Sequence, residues 1–141
     1  MSGEVVYFLD AVAAPGRQKT HASAADFATT IARLKAAIEA EQMWVLAELD
    51  PQMLLRKDGY AIGPARQIFY FHPRFMSRLL AANASAIVEA PLKFVVMADA
   101  TGRVVVRHPD ISNAFAGYDG LQPVAEDLAA VTARIVQSIS A

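Results

Sequence analysis

The stretch PLKFVVMADATGRVVVRHPD, residues 91–110, predicts a β-hairpin and constrains the fold more than any other part of the chain. Two runs rich in β-branched residues, 92–99 and 103–108, flank the loop Ala100-Thr101-Gly102. Glycine in the last loop position can take the left-handed conformation that closes a three-residue turn. We therefore expect the two runs to pair and the rest of the chain to pack around them.

Pairing Asp99 with Arg103 gives the two predicted strands complementary faces. The even-numbered residues then share an almost wholly apolar face that is expected to meet the core: Phe94, Val96, Ala98, Val104, Val106 and His108. The other face has an apolar centre bordered by positive charge: Lys93, Val95, Met97, Arg103, Val105 and Arg107. Because Lys93 and Arg107 are diagonal neighbours in this register, an anion such as phosphate or carboxylate is expected to bind between them. The alternative is that both cations are simply solvated.

Length and composition are those of a globular protein with a substantial core. The 141 residues fit one domain, and no repeat or linker divides residues 1–141. Hydrophobic residues make up 55% of the chain and charged residues 19%, which is apolar for an isolated monomer. Part of the apolar surface is therefore expected to be covered by a second copy of the chain in a homodimer.

Charge and cysteine content exclude several kinds of partner and site. The 13 basic and 14 acidic residues give a net charge of -1, so no overall field favours nucleic acid or an anionic membrane. Cysteine is absent from the sequence, which excludes disulfides and thiolate chemistry. The first residues, MSGEVVYFLDAV, contain neither a basic leader nor a long apolar run. We expect a cytoplasmic protein that binds neither nucleic acid nor membrane.

Residue patterns predict further strands and helices on both sides of the hairpin. Strands are expected at 5–9, 44–49 and 68–71, and the stretch AAPGRQKTHASA after the first of them is expected to be a loop. The run at 68–71 is apolar on both faces, which is typical of a central strand. Helices are expected after a cap at Asp26 or Ser23, at 51–57 and at 122–139. One further helix is expected to carry Phe75, Leu79, Leu80 and Ile87, with a break near Asn83.

Several of these segments together resemble the domain-of-unknown-function 302 family of small bacterial and archaeal proteins. The resemblance spans about residues 26–110 and is carried by FATTIARLKAAI, WVLAELD, GYAIGPARQIFYFHP, RFMSRLLAANASA, APLKFVV and DATGRVVV. It implies a small α+β fold of the TATA-binding-protein-like class, an antiparallel β-sheet with helices packed on one face. It also implies a homodimer and no established activity, and it places Lys93 at the family's lysine position.

Two histidines depart from the pattern of the resembled family. His72 follows Phe71 where the family usually has asparagine before proline, and His108-Pro109 replaces its usual tyrosine and asparagine. In an antiparallel meander the strands that end at His72 and His108 leave the sheet at the same end. Neutral imidazole is a common ligand, so the two side chains are a candidate site for a metal or haem. The alternative is a capped strand end at His72 and a hydrogen-bonded histidine at the core edge, which the lack of suitably spaced acidic residues favours.

Sequence patterns that accompany catalysis are weak in this chain. The serines lack a glycine elbow, and the phosphate-loop and dinucleotide glycine patterns are absent from the sequence. We therefore predict a non-catalytic protein whose cofactor, if it has one, is unknown. It is expected either to bind a small, anionic ligand or to act through homodimerisation, with the exposed sheet or the strand at 68–71 as the interface.

The residues expected to contact the ligand come from three predicted strands. Lys93 and Arg107 supply the charge, and Met97 with Tyr70 or Phe71 supplies an apolar wall. The alternative function is a metal- or haem-binding accessory protein or enzyme that uses His72 and His108.

Overall fold

An antiparallel sheet of five strands forms the frame of the protein. The structure is a computed structural model that describes residues 4–140. Its strands are β1 (Gln18–Ser23), β2 (Trp44–Leu49), β3 (Ala65–Phe71), β4 (Leu92–Ala98) and β5 (Val104–Pro109). Their order across the sheet is β1-β5-β4-β3-β2, and all neighbouring pairs are antiparallel. The middle strand is therefore β4, and the edges are β1 and β2.

Helices connect the strands and follow the last one. They are α1 (Phe27–Ala40), α2 (Pro51–Lys57), α3 (Pro73–Asn83), α4 (Ile111–Phe115) and α5 (Gln122–Gln137), with a 3₁₀-helix at Ala84–Glu89. Asp26 begins α1, because its carboxylate accepts a hydrogen bond of 2.8 Å from the Thr29 N–H. Asp50 and Asp110 cap α2 and α4 in the same way. Within residues 4–140, no helix is long and apolar enough to cross a membrane.

The core lies between one face of the sheet and helices α1, α3 and α5. The strand side chains in it are almost completely buried: Ile68, Tyr70, Phe94, Val96, Val104 and Val106. The helices contribute apolar stripes that include Leu34, Ile38, Leu79, Leu128 and Ile135. Side chains alternate along each strand, so Lys93, Val95 and Met97 point away from the helices and are only half-buried. We call the helix-covered side the core face and the opposite side the outer face.

The hairpin has the register that its residue pattern predicts. Ala98 lies opposite Val104, and the Asp99 N–H donates to the Arg103 carbonyl at 2.9 Å. Gly102 has a φ of 88°, the left-handed conformation expected for the loop. The α+β fold, with an antiparallel sheet and helices on one face, is therefore confirmed.

The region before α1 differs from the prediction. Residues 5–9 form no strand, and within them Val6 makes a single bridge to Ile62. The first strand, β1, lies instead in the stretch expected to be a loop. Its core-face side chains include His21 and Ser23, so it lacks the apolar alternation that marks a strand. It forms because its backbone pairs with β5 along the whole of its length.

The chain before β1 lies against the outer face of the hairpin. We call residues 4–17 the N-terminal segment. Its Leu9 side chain is 3% exposed, although it belongs to no helix or strand. The Gly63 N–H donates to the Val6 carbonyl at 2.9 Å, and a Cβ added to Gly63 would clash with the Tyr7 ring. The segment is therefore attached to the chain just before β3.

Candidate functional site

A cavity lined by positive charge opens on the outer face, where β1, β4 and β5 meet. Its volume is about 300 Å³, and its walls are Arg17, Gln18, Lys93, Val95, Arg107, His108 and Pro109. The pairing of Val95 with Arg107 puts the two predicted cations on adjacent strands of this face. Among residues 4–140, three cations and no carboxylate line the cavity. We call it the cationic cavity.

Arg107 is held by the N-terminal segment. Its Nη2 donates to the carbonyls of Leu9, at 2.9 Å, and Ala11, at 2.6 Å, while Nη1 donates to Gln18 Oε1 at 3.3 Å. The alternative that both cations are simply solvated therefore does not hold for Arg107. Its Nε–H is buried and has no hydrogen-bond partner in the part of the chain that the structure describes. A buried donor without a partner is unfavourable for folding.

Lys93 and Arg17 add two charges that are not neutralised. Neither side chain forms an ion pair within residues 4–140. The Lys93 ammonium lies 5.9 Å from the centre of the Phe69 ring, which faces it from β3. This arrangement keeps Lys93 on the outer face and leaves its three N–H donors without an acidic partner.

The predicted apolar wall residues, Met97 with Tyr70 or Phe71, are not part of the cationic cavity. Met97 is on the outer face and half-buried, but it does not line the cavity. Tyr70 is on the core face, 1% exposed, and its hydroxyl is 2.7 Å from Thr132 Oγ1 on α5. Tyr70 lies opposite Leu92 in the β3–β4 register, so strand alternation places it on the side away from Lys93.

His72 caps a helix, in agreement with the alternative interpretation of this residue. Its Nδ1 accepts a hydrogen bond of 3.0 Å from the Arg74 N–H at the start of α3. In a neutral ring the proton is then on Nε2, which removes the lone pair that a metal would need there. The ring meets Trp44 edge to face, with centroids 5.0 Å apart. No contact joins it to His108 among the described residues, because β4 lies between β3, which His72 follows, and β5, which contains His108.

His108 is paired instead with His21 on the neighbouring strand β1. Lys19 lies directly opposite His108, and His21 is two residues further on, so its side chain is on the same face. Their Nε2 atoms are 3.0 Å apart. The ring centroids are 5.0 Å apart and the planes differ by 14°, so the rings meet edge to edge rather than overlap. His108 Nδ1 is 2.8 Å from the Pro109 carbonyl, and only a protonated Nδ1 can donate to it. His108 Nε2 is therefore unprotonated in the neutral ring, and His21 Nε2–H donates to it.

The histidine pair, His21 and His108, is neutral at ordinary pH. Burial, followed by repulsion from Lys19, lowers the pKa of His21. Burial is also the largest cause that lowers the pKa of His108. The Phe94 ring contacts His108 edge to face at 5.7 Å, which fixes the position of His108 from the core side.

A family model described as a domain of unknown function, DUF302, matches residues 19–139. The chain belongs to this family. The match contains the histidine pair. Of the three cations of the cationic cavity, it contains Lys93 and Arg107, and it begins two residues after Arg17. It also extends beyond residues 26–110, which carry the resemblance seen in the sequence, to include β1 and α5.

A solved DUF302 structure has the same fold. The crystal structure of an uncharacterised conserved DUF302 protein from Bacillus stearothermophilus has a TM-score of 0.81 and 20% sequence identity to this chain. The similarity covers 89% of this chain and 99% of the other. At that identity it supports the fold and gives no information about ligands. A search of curated proteins finds no match to the chain.

Sequence reasoning missed two members of these sites, Arg17 and His21. Both lie in the stretch that was interpreted as a loop, so neither was given a position on the sheet. Recognition of β1 as a partner of β5 would have placed His21 beside His108, because diagonal residues on one face of a strand pair are neighbours. For Arg17, which precedes β1, the sequence contains no comparable signal.

Proposed function

We propose that the protein binds a small anion, a phosphate or carboxylate, in the cationic cavity. Three cations line a volume of about 300 Å³ without an acidic residue, and the Arg107 Nε–H lacks a partner among the described residues. The gathering of three cations that form no ion pair within the described residues is the observation that carries the proposal. Phosphate and carboxylate oxygens accept from guanidinium and ammonium groups through short, charge-assisted hydrogen bonds. Val95 and Pro109 leave room for an apolar part of the ligand beside its charged group.

Arg107 is already immobilised at the wall of the cavity. The N-terminal segment binds its Nη2 atom, so the guanidinium group and its charge have a fixed position. A donor that is already positioned loses little conformational entropy when the ligand binds. Lys93 and Arg17 form no ion pair within the described residues, so their side chains are freer to adjust to ligands of different size.

Titration with phosphate, sulfate, acetate and citrate tests the proposal when backbone amide shifts are followed by NMR. We expect saturable shifts at Lys93, Val95 and Arg107. Lys93→Met and Arg17→Met should each weaken binding by about 10-fold or more, since a hydrogen bond to a charged group contributes about 1.5–3 kcal/mol. Lys57→Met is the matched control, because it removes the same charge from α2 outside the cavity.

Sodium chloride at matched ionic strength separates site binding from general screening. Shifts that do not saturate, or that sodium chloride reproduces, would contradict the proposal. Equal loss of affinity in Lys57→Met and Lys93→Met would do the same, because it would mean that net charge alone attracts the anion.

Homodimerisation is a second candidate, favoured by an apolar groove beside β2. The groove has a volume of about 380 Å³ and includes Trp44, Leu46 and Leu80, which are 54%, 50% and 43% exposed. Contiguous apolar surface of this kind is unusual on a soluble monomer. The expected interface therefore moves from strand β3, which is paired on both sides, to the groove at the sheet edge. The bulge in β2 disfavours direct extension of the sheet, so the groove side chains would make the contact.

Sedimentation at micromolar concentration tests this candidate. A dimer is expected for the wild-type chain, and Leu80→Glu should convert it to a monomer by placing a charge in the groove. Val12→Glu changes an exposed residue outside the groove and should leave the dimer intact. A wild-type monomer would remove the candidate.

A further inference from the structure

The histidine pair lies at a second cavity, on the core face of the sheet, which shares only His108 with the cationic cavity. This cavity has a volume of about 80 Å³ and is lined by Lys19, His21, His108, Asp110, Ile111, Ser112, Ala129 and Ala133. His21 and His108 come from β1 and β5, so the pairing of these two strands fixes the separation of their rings. The two Nε2 atoms face each other across 3.0 Å.

We propose that the histidine pair binds a late first-row transition-metal ion, which replaces the proton now shared between the two Nε2 atoms. Nitrogens that each lie 2.0–2.1 Å from one ion are about 2.8–3.4 Å apart for bond angles from 90° to tetrahedral. The observed separation of 3.0 Å falls within that interval. In that geometry each lone pair is turned about 35–45° from the line between the two Nε2 atoms, so the rings must rotate by that much from their present hydrogen-bonded orientation.

The Nδ1 atom of His108, which would not contact the metal, already has the hydrogen-bond partner that a metal-binding histidine requires. Its Nδ1–H donates to the Pro109 carbonyl at 2.8 Å, which leaves the Nε2 lone pair directed at His21. A hydrogen bond from the second ring nitrogen to a carbonyl is the usual way in which proteins orient a histidine ligand. His72 has the opposite arrangement, because its Nδ1 accepts a hydrogen bond and its Nε2 carries the proton. The metal role expected for His72 and His108 is thus reassigned to His21 and His108.

The surroundings limit the kind of ion and its coordination. Among the described residues, no group of three or more histidine and acidic side chains could hold a metal ion. The protein then supplies two ligands, and the cavity has room for about two waters at about 30 Å³ each. A closed four-ligand structural zinc site is excluded by this count of protein ligands. Imidazole suits copper, nickel and zinc, and copper should bind most tightly by the Irving–Williams order.

Two charged residues at the cavity act in opposite directions on a bound cation. Lys19 lies opposite His108 in the β1–β5 register and repels it, while Asp110 lines the same cavity and attracts it. Lys19→Met should therefore tighten metal binding. This expectation separates a site at the histidine pair from one elsewhere on the chain.

Calorimetric titration of the full chain with Cu²⁺, Ni²⁺ and Zn²⁺ at pH 7.5 tests the proposal, with imidazole NMR signals identifying the ligands. We expect one ion per chain, with Cu²⁺ bound most tightly, and shifted signals from His21 and His108. His21→Gln should weaken binding more than about 100-fold, since loss of only a hydrogen-bond partner of a metal ligand costs about 10- to 100-fold. His72→Asn, which keeps a good helix-capping side chain, should change the affinity less than twofold.

Either of two results would overturn the proposal. The first is the absence of saturable binding for all three ions, which would leave the pair as a hydrogen bond between strands. The second is equal affinity in wild type and His21→Gln, which would place the metal elsewhere. His21 is only partly buried, so His21→Gln is expected to fold even if a change at the buried His108 does not.

Discussion

The two faces of the sheet differ in what packs against them, although the same strands form both. On the core face of β4 and β5, Phe94, Val96 and Val106 are 0% exposed and pack against three helices. On the outer face, Lys93 and Arg107 alternate with them and are half-buried. The core face is held by apolar volume, whereas the outer face is held by hydrogen bonds to the N-terminal segment.

This difference assigns folding stability mainly to residues of the core face and ligand binding to residues of the outer face. Residues on the core face fill space between the sheet and the helices, so their loss leaves cavities. The outer face retains a charged cavity and an unsatisfied donor among the described residues, features that do not help folding. Substitutions on the two faces should therefore have separable effects, and three changes test this from the largest effect to the smallest.

Phe94→Ala should have the largest effect on stability. The ring is fully buried, lies between Tyr70 at 4.7 Å and His108 at 5.7 Å, and its loss should lower the free energy of unfolding by about 3–5 kcal/mol. Phe69→Ala is the matched control, since Phe69 is on the outer face of the adjacent strand and half-buried. Chemical denaturation measures both. Equal costs for the two rings would show that the faces do not differ as described.

The hairpin was predictable because its determinants are local. The loop glycine and two alternating runs specify both the register and the buried face, and the observed pairing of Ala98 with Val104 confirms this. Strand β1 was missed because its core-face positions are polar and its existence depends on pairing with β5, which is 80 or more residues later. The error at residues 5–9 has the opposite cause, since their β-branched and aromatic side chains satisfy a strand pattern without a partner strand to pair with.

The candidate sites were predictable only in part for the same reason. Lys93 and Arg107 were found together because both belong to the hairpin. Tyr70 is on the face opposite to the predicted one, because the sequence alone does not give the β3–β4 register. In that register Phe69, not Tyr70, lies opposite Lys93. The partner of His108 was assigned to His72 at a strand end, whereas His21 on the missed strand β1 is the residue that contacts it.

Arg107→Met should have an intermediate effect, confined to the outer face. The change removes hydrogen bonds to the carbonyls of Leu9 and Ala11, so we expect a loss of about 1.5–3 kcal/mol in the free energy of unfolding. Amide hydrogen exchange should become faster at Val6 and Gly63, whose N–H groups tie the segment to the chain around residue 62. Unchanged exchange there would mean that Arg107 does not anchor the segment.

Arg103→Met is the comparison for this variant. Arg103 also contacts the N-terminal segment, through Asp10, but its side chain is 56% exposed. Exposed ion pairs contribute little to stability. Arg103→Met should therefore accelerate amide hydrogen exchange at Val6 and Gly63 less than Arg107→Met does. It should also leave anion binding unchanged, since Arg103 does not line the cationic cavity.

Tyr70→Phe should have the smallest effect and should not alter anion binding, because Tyr70 lies on the core face. Its hydroxyl is 2.7 Å from Thr132 Oγ1, and burial raises the pKa of Tyr70, so the phenol stays protonated and can donate. Loss of this hydrogen bond should cost about 0.5–1.5 kcal/mol, and Thr132→Val should cost more, about 1–3 kcal/mol, since it leaves the phenol without its partner. Replacing both groups removes the buried hydroxyls together, so the double variant should cost less than the sum of the single variants. Denaturation of the four proteins measures this coupling, and strict additivity would show that the two hydroxyls do not depend on each other.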